Sequence, residues 1–519
     1  MTRPTVRGSY AARSLVSGLL LAFAFPPFSA FPVAWVALIP FLRALESLAA
    51  EARTGAPRTG VSAVRAGFLF GFAFFLPLLW WIALLDAPTL TIPWVRYPAT
   101  LAVPLYLGVY PALFSLAYVR VRSRTRIPAF VVAPLLWTAA EVLRGTGEMG
   151  FPWGEAGYSQ VPFLPALQAA SVVGVGGLTA WIVLVNGILA GFPGRRPVFR
   201  LATTLLVIAL PLAAGRERIE HGGDWKTVRC ALVQPNIANE TKWNADLRPI
   251  HFETLAQLTR KGIEAGAEFV VWPETAAPCY LLKDARWRPF VEDLARETGV
   301  PIFLGTPDYQ VRDGGRVTYT NSGAFMDSRG FLGGRMDKIL LVPFGERLPF
   351  TAVLPFLNRL DFGEADFLPG TFPIVFHPGD WGFGALVCFE AIFPGLSAKY
   401  VEEGAEMLVA ITNDSWFGAG SGAEQHARMA TVRCVETGCG MARAANSGIS
   451  MGIDPFGRTF GETALFERTV SVVDVPLREG RTIYSLAPGL WSWVGIAGSV
   501  ILLAMARFRR RGWAVPEAK

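Results

Sequence analysis

Residues 384–394 read GALVCFEAIFP, a run of small and apolar residues that delivers a cysteine, Cys388, then an acid, Glu390, and closes on Pro394. A short, apolar, β-prone run bounded by a proline predicts a buried strand with a thiol presented at its end. A buried cysteine by itself is commonly inert packing. What surrounds this one decides its meaning.

The chain has 519 residues, of which 52% are hydrophobic and only 17% charged, and its mean hydropathy is +0.37. Soluble domains carry roughly 25% charged residues, so this composition predicts a membrane protein. The net charge is +7. Its arginines fall between apolar stretches rather than on one patch, which excludes a nucleic-acid partner.

Apolar stretches lie near 15–25, 31–49, 66–85, 98–119, 128–144, 164–192, 198–214 and 488–507. Each crosses, or nearly crosses, a hydrocarbon core of about 30 Å, so about eight membrane helices are expected. The first follows Arg3, Arg7 and Arg13 and could be a signal peptide. Bulky Phe28 stands where cleavage wants a small residue, and the stretch reads as a retained anchor. Arginines recur in alternate loops: Arg43, Arg53, Arg58 and Arg65; Arg120, Arg122, Arg124 and Arg126; Arg195, Arg196 and Arg200; and Arg507, Arg509, Arg510 and Arg511 at the end. The loops between hold Asp86, Glu148 and Glu155. Basic loops stay cytoplasmic, which places the long polar segment outside. The expected division is transmembrane helices 1 to 7 over 1–215, an extracytoplasmic domain over 226–477, a last helix over 488–507 and a cytoplasmic tail over 508–519.

Glu141 and Arg144 stand three apart on a predicted helix and are expected to pair at the interface. The outer loop GFPWGEAGYSQVPF is expected to fold back at headgroup level, with Trp153 and Tyr158 in an anchoring belt.

The extracytoplasmic segment alternates β-rich runs (VRCALVQPNI, EFVVWPET, PIFLGTP, YTNSGAFMD, GFGALVCFE, EMLVAITND) with helical ones near 250–265, 284–298 and 423–439. That pattern is an α/β domain, whose chemistry belongs on the loops beyond its strands. No phosphate loop or metal-ligand spacing is present, and His251 and His426 have no ligand spacing. Three strand ends carry reactive groups: Glu274 in VVWPETAAP, Lys338 and Glu346 in MDKILLVPFGE, and Cys388. A poorly hydrated carboxylate can deprotonate a thiol, and a fixed ammonium can steady the oxyanion formed when that thiol attacks a carbonyl.

In order, spacing and flanking motifs, residues 226–477 resemble the nitrilase superfamily, in which a Glu, a Lys and a Cys at strand ends of an αββα sandwich form the catalytic set. With helices on both sides, and with its WPET, PFGE and NDSWFG segments, nearly the whole chain is similar to the apolipoprotein N-acyltransferase family of bacterial inner membranes. The resemblance implies Glu274 as general base, Lys338 as oxyanion stabiliser and Cys388 as nucleophile, supported by Glu346 and Glu390. It implies substrate-binding positions at Trp243 and Trp416 on mobile loops, at Asn321, and at Phe389, where the family often has Tyr. The implied reaction moves an acyl chain from a phospholipid to Cys388 as a thioester, then to the α-amine of the N-terminal diacylglyceryl-cysteine of an apolipoprotein. A monomer without metal or organic cofactor is expected, its catalytic domain periplasmic. Two rivals stand beside this reading: a membrane-tethered nitrilase-like amidohydrolase, and a lipid transporter or binding protein with an inert outer domain.

Five cysteines leave at least one thiol free. Cys434 and Cys439 could form a bridge, but five positions apart on a helix is poor geometry. Free thiols in the core are expected for these two and for Cys230 and Cys279.

Overall fold

A computed structural model describes residues 6–86, 92–191, 197–312, 315, 317–351, 353 and 367–508. Arg3, Arg195, Arg196, Arg509, Arg510, Arg511 and the tail beyond Phe508 lie outside the described residues. Helical segments occupy Val6–Phe23, Phe31–Arg53, Thr59–Leu78, Pro93–Arg124, Ala129–Arg144, Ala170–Ala190, Pro197–His221 and Leu490–Phe508. Among the described residues, five of these are long and apolar enough to cross a membrane: Phe31–Arg53, Thr59–Leu78, Pro93–Arg124, Ala170–Ala190 and Leu490–Phe508.

Small residues let these helices approach, as they must where lipid supplies no hydrophobic drive between them. A Cβ on Gly67 would lie 2.2 Å from the Pro111 carbonyl oxygen, and one on Gly18 would lie 2.4 Å from that of Phe70. Aromatic rings fill the bundle's centre, with Phe41 stacked on Phe70 and Trp137 set edge-on to Phe70 and Phe114. Apolar side chains such as Leu205, Leu210, Val500 and Ile501 cover its outside.

Several boundaries differ from the sequence reading. Arg43 and Arg65 lie within helices, and Arg120, Arg122 and Arg124 complete the last turns of the helix ending at Arg124. There Arg122 pairs with Glu46 at 2.7 Å. The expected stretch 66–85 begins at Thr59 and ends at Leu78, after which Trp80–Leu84 is a 3-10 turn. Hydropathy cannot distinguish that apolar turn from a continuing helix.

The remaining chain folds into two six-stranded sheets. Their strands are β1 (Thr227–Gln234), β2 (Phe269–Val271), β3 (Ile302–Val311), β4 (Val317–Met326), β5 (Leu332–Asp337), β6 (Val375–Phe376), β7 (Phe383–Val387), β8 (Met407–Thr412), β9 (Gly440–Ala445), β10 (Met451–Ile453), β11 (Thr459–Phe460) and β12 (Thr469–Pro476). One sheet is ordered β12-β1-β2-β3-β4-β5 and the other β11-β10-β9-β8-β7-β6. In each, three parallel strands (β1, β2 and β3; β7, β8 and β9) are flanked by antiparallel ones.

Successive residues of a strand face opposite ways, and here both faces are apolar. Leu232, Val271, Phe303, Phe383, Val387 and Val409 meet between the sheets. Ala231, Val270, Ile302 and Leu304 face outward onto the helices Arg248–Glu264 and Trp287–Thr298. On the other side Leu386, Leu408 and Met441 pack with residues of the helices Pro394–Glu402 and Gly422–Thr437. The result is a four-layer αββα sandwich. Pro394, read in the sequence as a break, opens one of its helices.

The sandwich sits directly on the bundle, and this overturns the expected interfacial belt. Trp153 and Tyr158 are buried. Trp153 Nε1 donates to Gln425 Oε1 at 2.6 Å, and the Tyr158 hydroxyl donates to the Ile392 carbonyl at 3.3 Å. The loop is thus a gasket between domain and bundle, because its Gly, Pro and aromatic composition suits a tightly packed turn as well as a headgroup layer. Glu141 and Arg144 do pair, at 3.8 Å. The Arg144 guanidinium also donates to the Phe151 carbonyl at 2.8 Å, which fixes the gasket's start. Cys230, Cys279, Cys434 and Cys439 are all free and buried.

Candidate active site

β2 ends at Val271, and the buried ring of Trp272 anchors the turn that follows by donating from Nε1 to Thr259 Oγ1 at 2.8 Å. Glu274 stands in that turn, and Thr275 after it has a φ of 47°, a left-handed conformation a threonine rarely adopts. The turn lies against β3 at Gly305, where a Cβ would come 2.5 Å from the Thr275 nitrogen. Only glycine permits that approach. The Glu274 carboxylate is buried and fully engaged: Oε1 accepts from Asn321 Nδ2 at 2.7 Å, and Oε2 accepts from the Asn413 backbone N–H at 2.9 Å.

Lys338 follows β5 immediately and is 1% exposed. Its backbone N–H donates to the Asn321 carbonyl at 2.8 Å, which continues the pairing of β5 with β4. Its ammonium lies 2.8 Å from Glu346 Oε1 and 3.5 Å from Glu274 Oε1. Asn321 Nδ2 donates to both carboxylates, reaching Glu346 Oε1 at 3.0 Å. Burial works against the charged ammonium, but Glu346 and Glu274 more than offset it and hold Lys338 above the ordinary lysine range. A fixed cation between two carboxylates results.

Cys388 follows β7, half-buried, as the first residue of the 3-10 turn Cys388–Ile392, with a φ of 51°. Burial pushes its thiol well up, the Glu274 carboxylate adds to that, and the Lys338 ammonium opposes it. The resting sulfur is therefore protonated at neutral pH and acts as a nucleophile only if its proton is taken during attack. Glu390, wholly buried, accepts from the backbone N–H groups of Val387 (2.7 Å), Ile339 (2.6 Å) and Leu340 (3.1 Å). It thereby ties the cysteine turn to the segment after Lys338. Burial pushes Glu390 up to about 7 against those three donors.

The residues read as substrate-binding do not share one wall. Trp243 is 54% exposed and lines a cavity of about 500 Å³ with Arg248, Tyr280, Tyr309, Tyr319 and Phe367. One of its lining residues, Phe367, donates its N–H to the backbone carbonyl of Glu346 at 3.1 Å. Phe389 instead faces the bundle, stacked on Phe151 at 6.3 Å and set edge-on to Phe393 at 5.0 Å. Trp416 is half-buried, and its carbonyl accepts from the Asp86 N–H at 3.1 Å, so its loop is tied to a bundle loop.

Two participants escaped the sequence reading. Lys242 is buried, and its ammonium donates to Thr275 Oγ1 at 2.7 Å and to the Glu274 carbonyl at 3.4 Å. Burial lowers it to about 8, with Glu274 opposing. It stands next to Trp243 in KWN, but a lone lysine on a four-residue helix looks like surface. Asn413, whose N–H binds Glu274, was visible only as part of NDSWFG. Among the described residues, no group of three or more His, Cys, Asp or Glu is placed to hold a metal ion.

Comparison with known proteins adds family relationships to this geometry. Residues 17–188 match the apolipoprotein N-acyltransferase N-terminal domain, and residues 229–484 match the carbon-nitrogen hydrolase family. An apolipoprotein N-acyltransferase of Geobacter metallireducens is 37% identical over 509 residues, covering 96% of this chain and 95% of that protein. Those of Chlorobaculum tepidum (30% identical; 95% and 96% covered) and Brucella melitensis (32% identical; 93% and 92% covered) are similar along the same length. An amidase from Nesterenkonia sp. AN1 aligns at 21% identity over 48% of this chain and 93% of its own, with a TM-score of 0.38, too distant to bear on the site.

Proposed function

Because the chain belongs to the apolipoprotein N-acyltransferase family, we infer that its transfer of an acyl group to apolipoproteins runs through Cys388, with Glu274 as base and Lys338 as oxyanion support. The observation that carries this assignment is a buried ammonium held between Glu274 and Glu346, with Glu390 tying the Cys388 turn to the segment after Lys338.

Glu274 takes the thiol proton as sulfur attacks the ester carbonyl of a phospholipid. The C=O pair moves onto oxygen, and the Lys338 ammonium steadies that charge. Collapse breaks the acyl C–O bond, Glu274 returns its proton to the departing lysophospholipid oxygen, and a thioester remains. In the second half the α-amine of the diacylglyceryl-cysteine attacks the thioester carbon. Glu274 takes its proton and passes it to the departing sulfur as the C–S bond breaks, so the thiol and the carboxylate are both restored as the amide forms. Glu346 and Asn321 hold the ammonium and carboxylate in register, and Glu390 holds the cysteine turn to the Lys338 segment. Trp243, Phe389 and Trp416 are the aromatic positions proposed to meet the acyl chains.

A thioester survives only where water is excluded. The sandwich closing onto the bundle supplies that exclusion and brings the site to lipids. We place eight spans in a bacterial inner membrane, the sandwich on the periplasmic side, and the enzyme as a monomer. The tethered amidohydrolase and the lipid transporter are not favoured, since the similarity to N-acyltransferases runs through helices and sandwich alike.

The test is acyl transfer from phospholipid to a diacylated lipopeptide, with the protein weighed intact after exposure to phospholipid alone. Wild type is expected to gain one acyl mass, and Cys388→Ala to lose both adduct and product. A fully active C388A would refute the assignment.

A further inference from the structure

Cys388 holds a left-handed backbone at φ 51°, and a residue with a Cβ stays there only when its surroundings over-determine it. Its carbonyl oxygen lies 3.0 Å from Nε2 of His426. A carbonyl carries no proton, so Nε2 carries it and donates. The other ring nitrogen, Nδ1, lies 3.0 Å from Asp414 Oδ1, and Arg443 Nη2 lies 2.7 Å from Asp414 Oδ2 and 3.2 Å from that same Nδ1. None of the three side chains exceeds 2% exposure. Thr412 Oγ1 donates to Asp414 Oδ1 at 2.7 Å, and a Cβ on Gly448 would lie 2.3 Å from Asp414 Oδ2, so the carboxylate has no room to turn.

The four groups come from different places: Cys388 after β7, Asp414 after β8, Arg443 within β9, and His426 on the helix Gly422–Thr437. That helix is seated on the bundle by the preceding residue. Gln425 Nε2 donates to the carbonyls of Pro26 (3.1 Å) and Leu78 (3.0 Å), and its Oε1 accepts from Trp153 Nε1 at 2.6 Å. The Trp153 ring also stacks on the His426 imidazole, at 6.1 Å.

We propose that Arg443, Asp414 and His426 form a positioning relay that fixes the carbonyl of Cys388 and so aims its sulfur, with His426 the residue through which the relay acts. The relay acts through the Cys388 backbone carbonyl rather than through a hydrogen bond to its sulfur. It rests on the reading of Cys388 as nucleophile. Because its helix is docked by Gln425, the sulfur's aim is set jointly by the sandwich and the bundle.

The test uses the full chain in detergent micelles with phospholipid, following thioester formation by intact mass against lipid concentration. A misaimed nucleophile costs on the order of 100-fold in rate for a displacement near 1 Å. His426→Ala is therefore expected to slow the saturating rate by about 10- to 100-fold while the half-saturating lipid concentration stays within about twofold. His426→Gln, which restores an N–H donor, is expected to recover most of the rate. His426→Met fills the space without a donor, carries the comparison if the alanine variant does not fold, and is expected to be as slow. A folded His426→Ala or His426→Met forming thioester within about twofold of wild type, or a His426→Gln no faster than His426→Met, overturns the relay. Cys388→Ala, run alongside, separates this failure from failure of the nucleophile itself, since only the latter would leave Cys388→Ala acylated or active.

Discussion

Replacing Lys338 by methionine removes a charge and keeps most of the volume. In the folded protein the Lys338 ammonium stands 2.8 Å from one carboxylate and 3.5 Å from another, at 1% exposure. Without it, Glu346 and Glu274 face each other across one shared Asn321 amide. Removing one partner from a buried ion pair costs roughly 3–5 kcal/mol, because the remaining charge is left uncompensated. Lys338 is held above its ordinary value in the fold, so its contribution is complete below the unfolded lysine value near 10.4 and is lost only as pH rises through the folded one. The stability loss in K338M is therefore expected in full at pH 7. Removing an oxyanion donor, the role proposed for Lys338, costs about 10²- to 10³-fold in rate. Thermal unfolding of K338M in micelles, with intact-mass kinetics of acyl uptake, reads both effects. A variant that unfolds at the wild-type temperature, or acquires the acyl mass within about threefold of the wild-type rate, would refute the reasoning that this ammonium is the site's central counter-ion.

Gly305→Ala places a Cβ 2.5 Å from the Thr275 nitrogen and 2.6 Å from the Glu274 Cα. Such overpacking costs about 1–3 kcal/mol, and by moving the proposed base it is expected to slow acyl uptake about 100-fold; an unchanged rate would show that the Glu274 turn has slack. Glu390 is pushed up to about 7 in the fold, so between about pH 4.5 and 7 the folded state binds a proton that the unfolded chain has released, and stability falls as pH rises. Glu390→Gln is expected to flatten that part of a stability-versus-pH curve, and a wild-type slope retained in E390Q would exclude Glu390 as its source. Gln425→Ala leaves two buried bundle carbonyls and the Trp153 N–H without their partner, at about 1–3 kcal/mol for each unsatisfied group. It is expected to lower the unfolding temperature and to make the 151–160 loop accessible to protease; wild-type resistance would contradict the gasket reading.

How far the sequence reached can be argued from particular elements. Val387 and Cys388 were legible because a fully buried strand reads as an unbroken apolar run, and Glu274 because Trp272 and Pro273 mark a rigid turn after another. β9 was not legible. GMARAA carries neither alternation nor β-branched residues, and its burial comes from the layers on its two faces, Ala442 and Ala444 lying between the sheets and Met441 against the helices. Trp153 and Tyr158 were read at the lipid surface because an amphipathic ring suits a headgroup layer and a buried seam equally well.

By itself the sequence determined composition-level facts and chain order: apolar stretches spaced to cross a bilayer, an inserted α/β segment, and an acid, a lysine and a cysteine each placed where a strand stops. Those depend on hydrophobic period and local turn chemistry, which act over a few residues. Tertiary structure decided which carboxylates share Lys338, that Lys242 and Asn413 close on Glu274, and that His426 reaches the Cys388 carbonyl across 38 positions. Hydrogen bonds between side chains distant in the chain are fixed by packing of the sheets and of the sandwich on the bundle, and no local pattern encodes such a meeting.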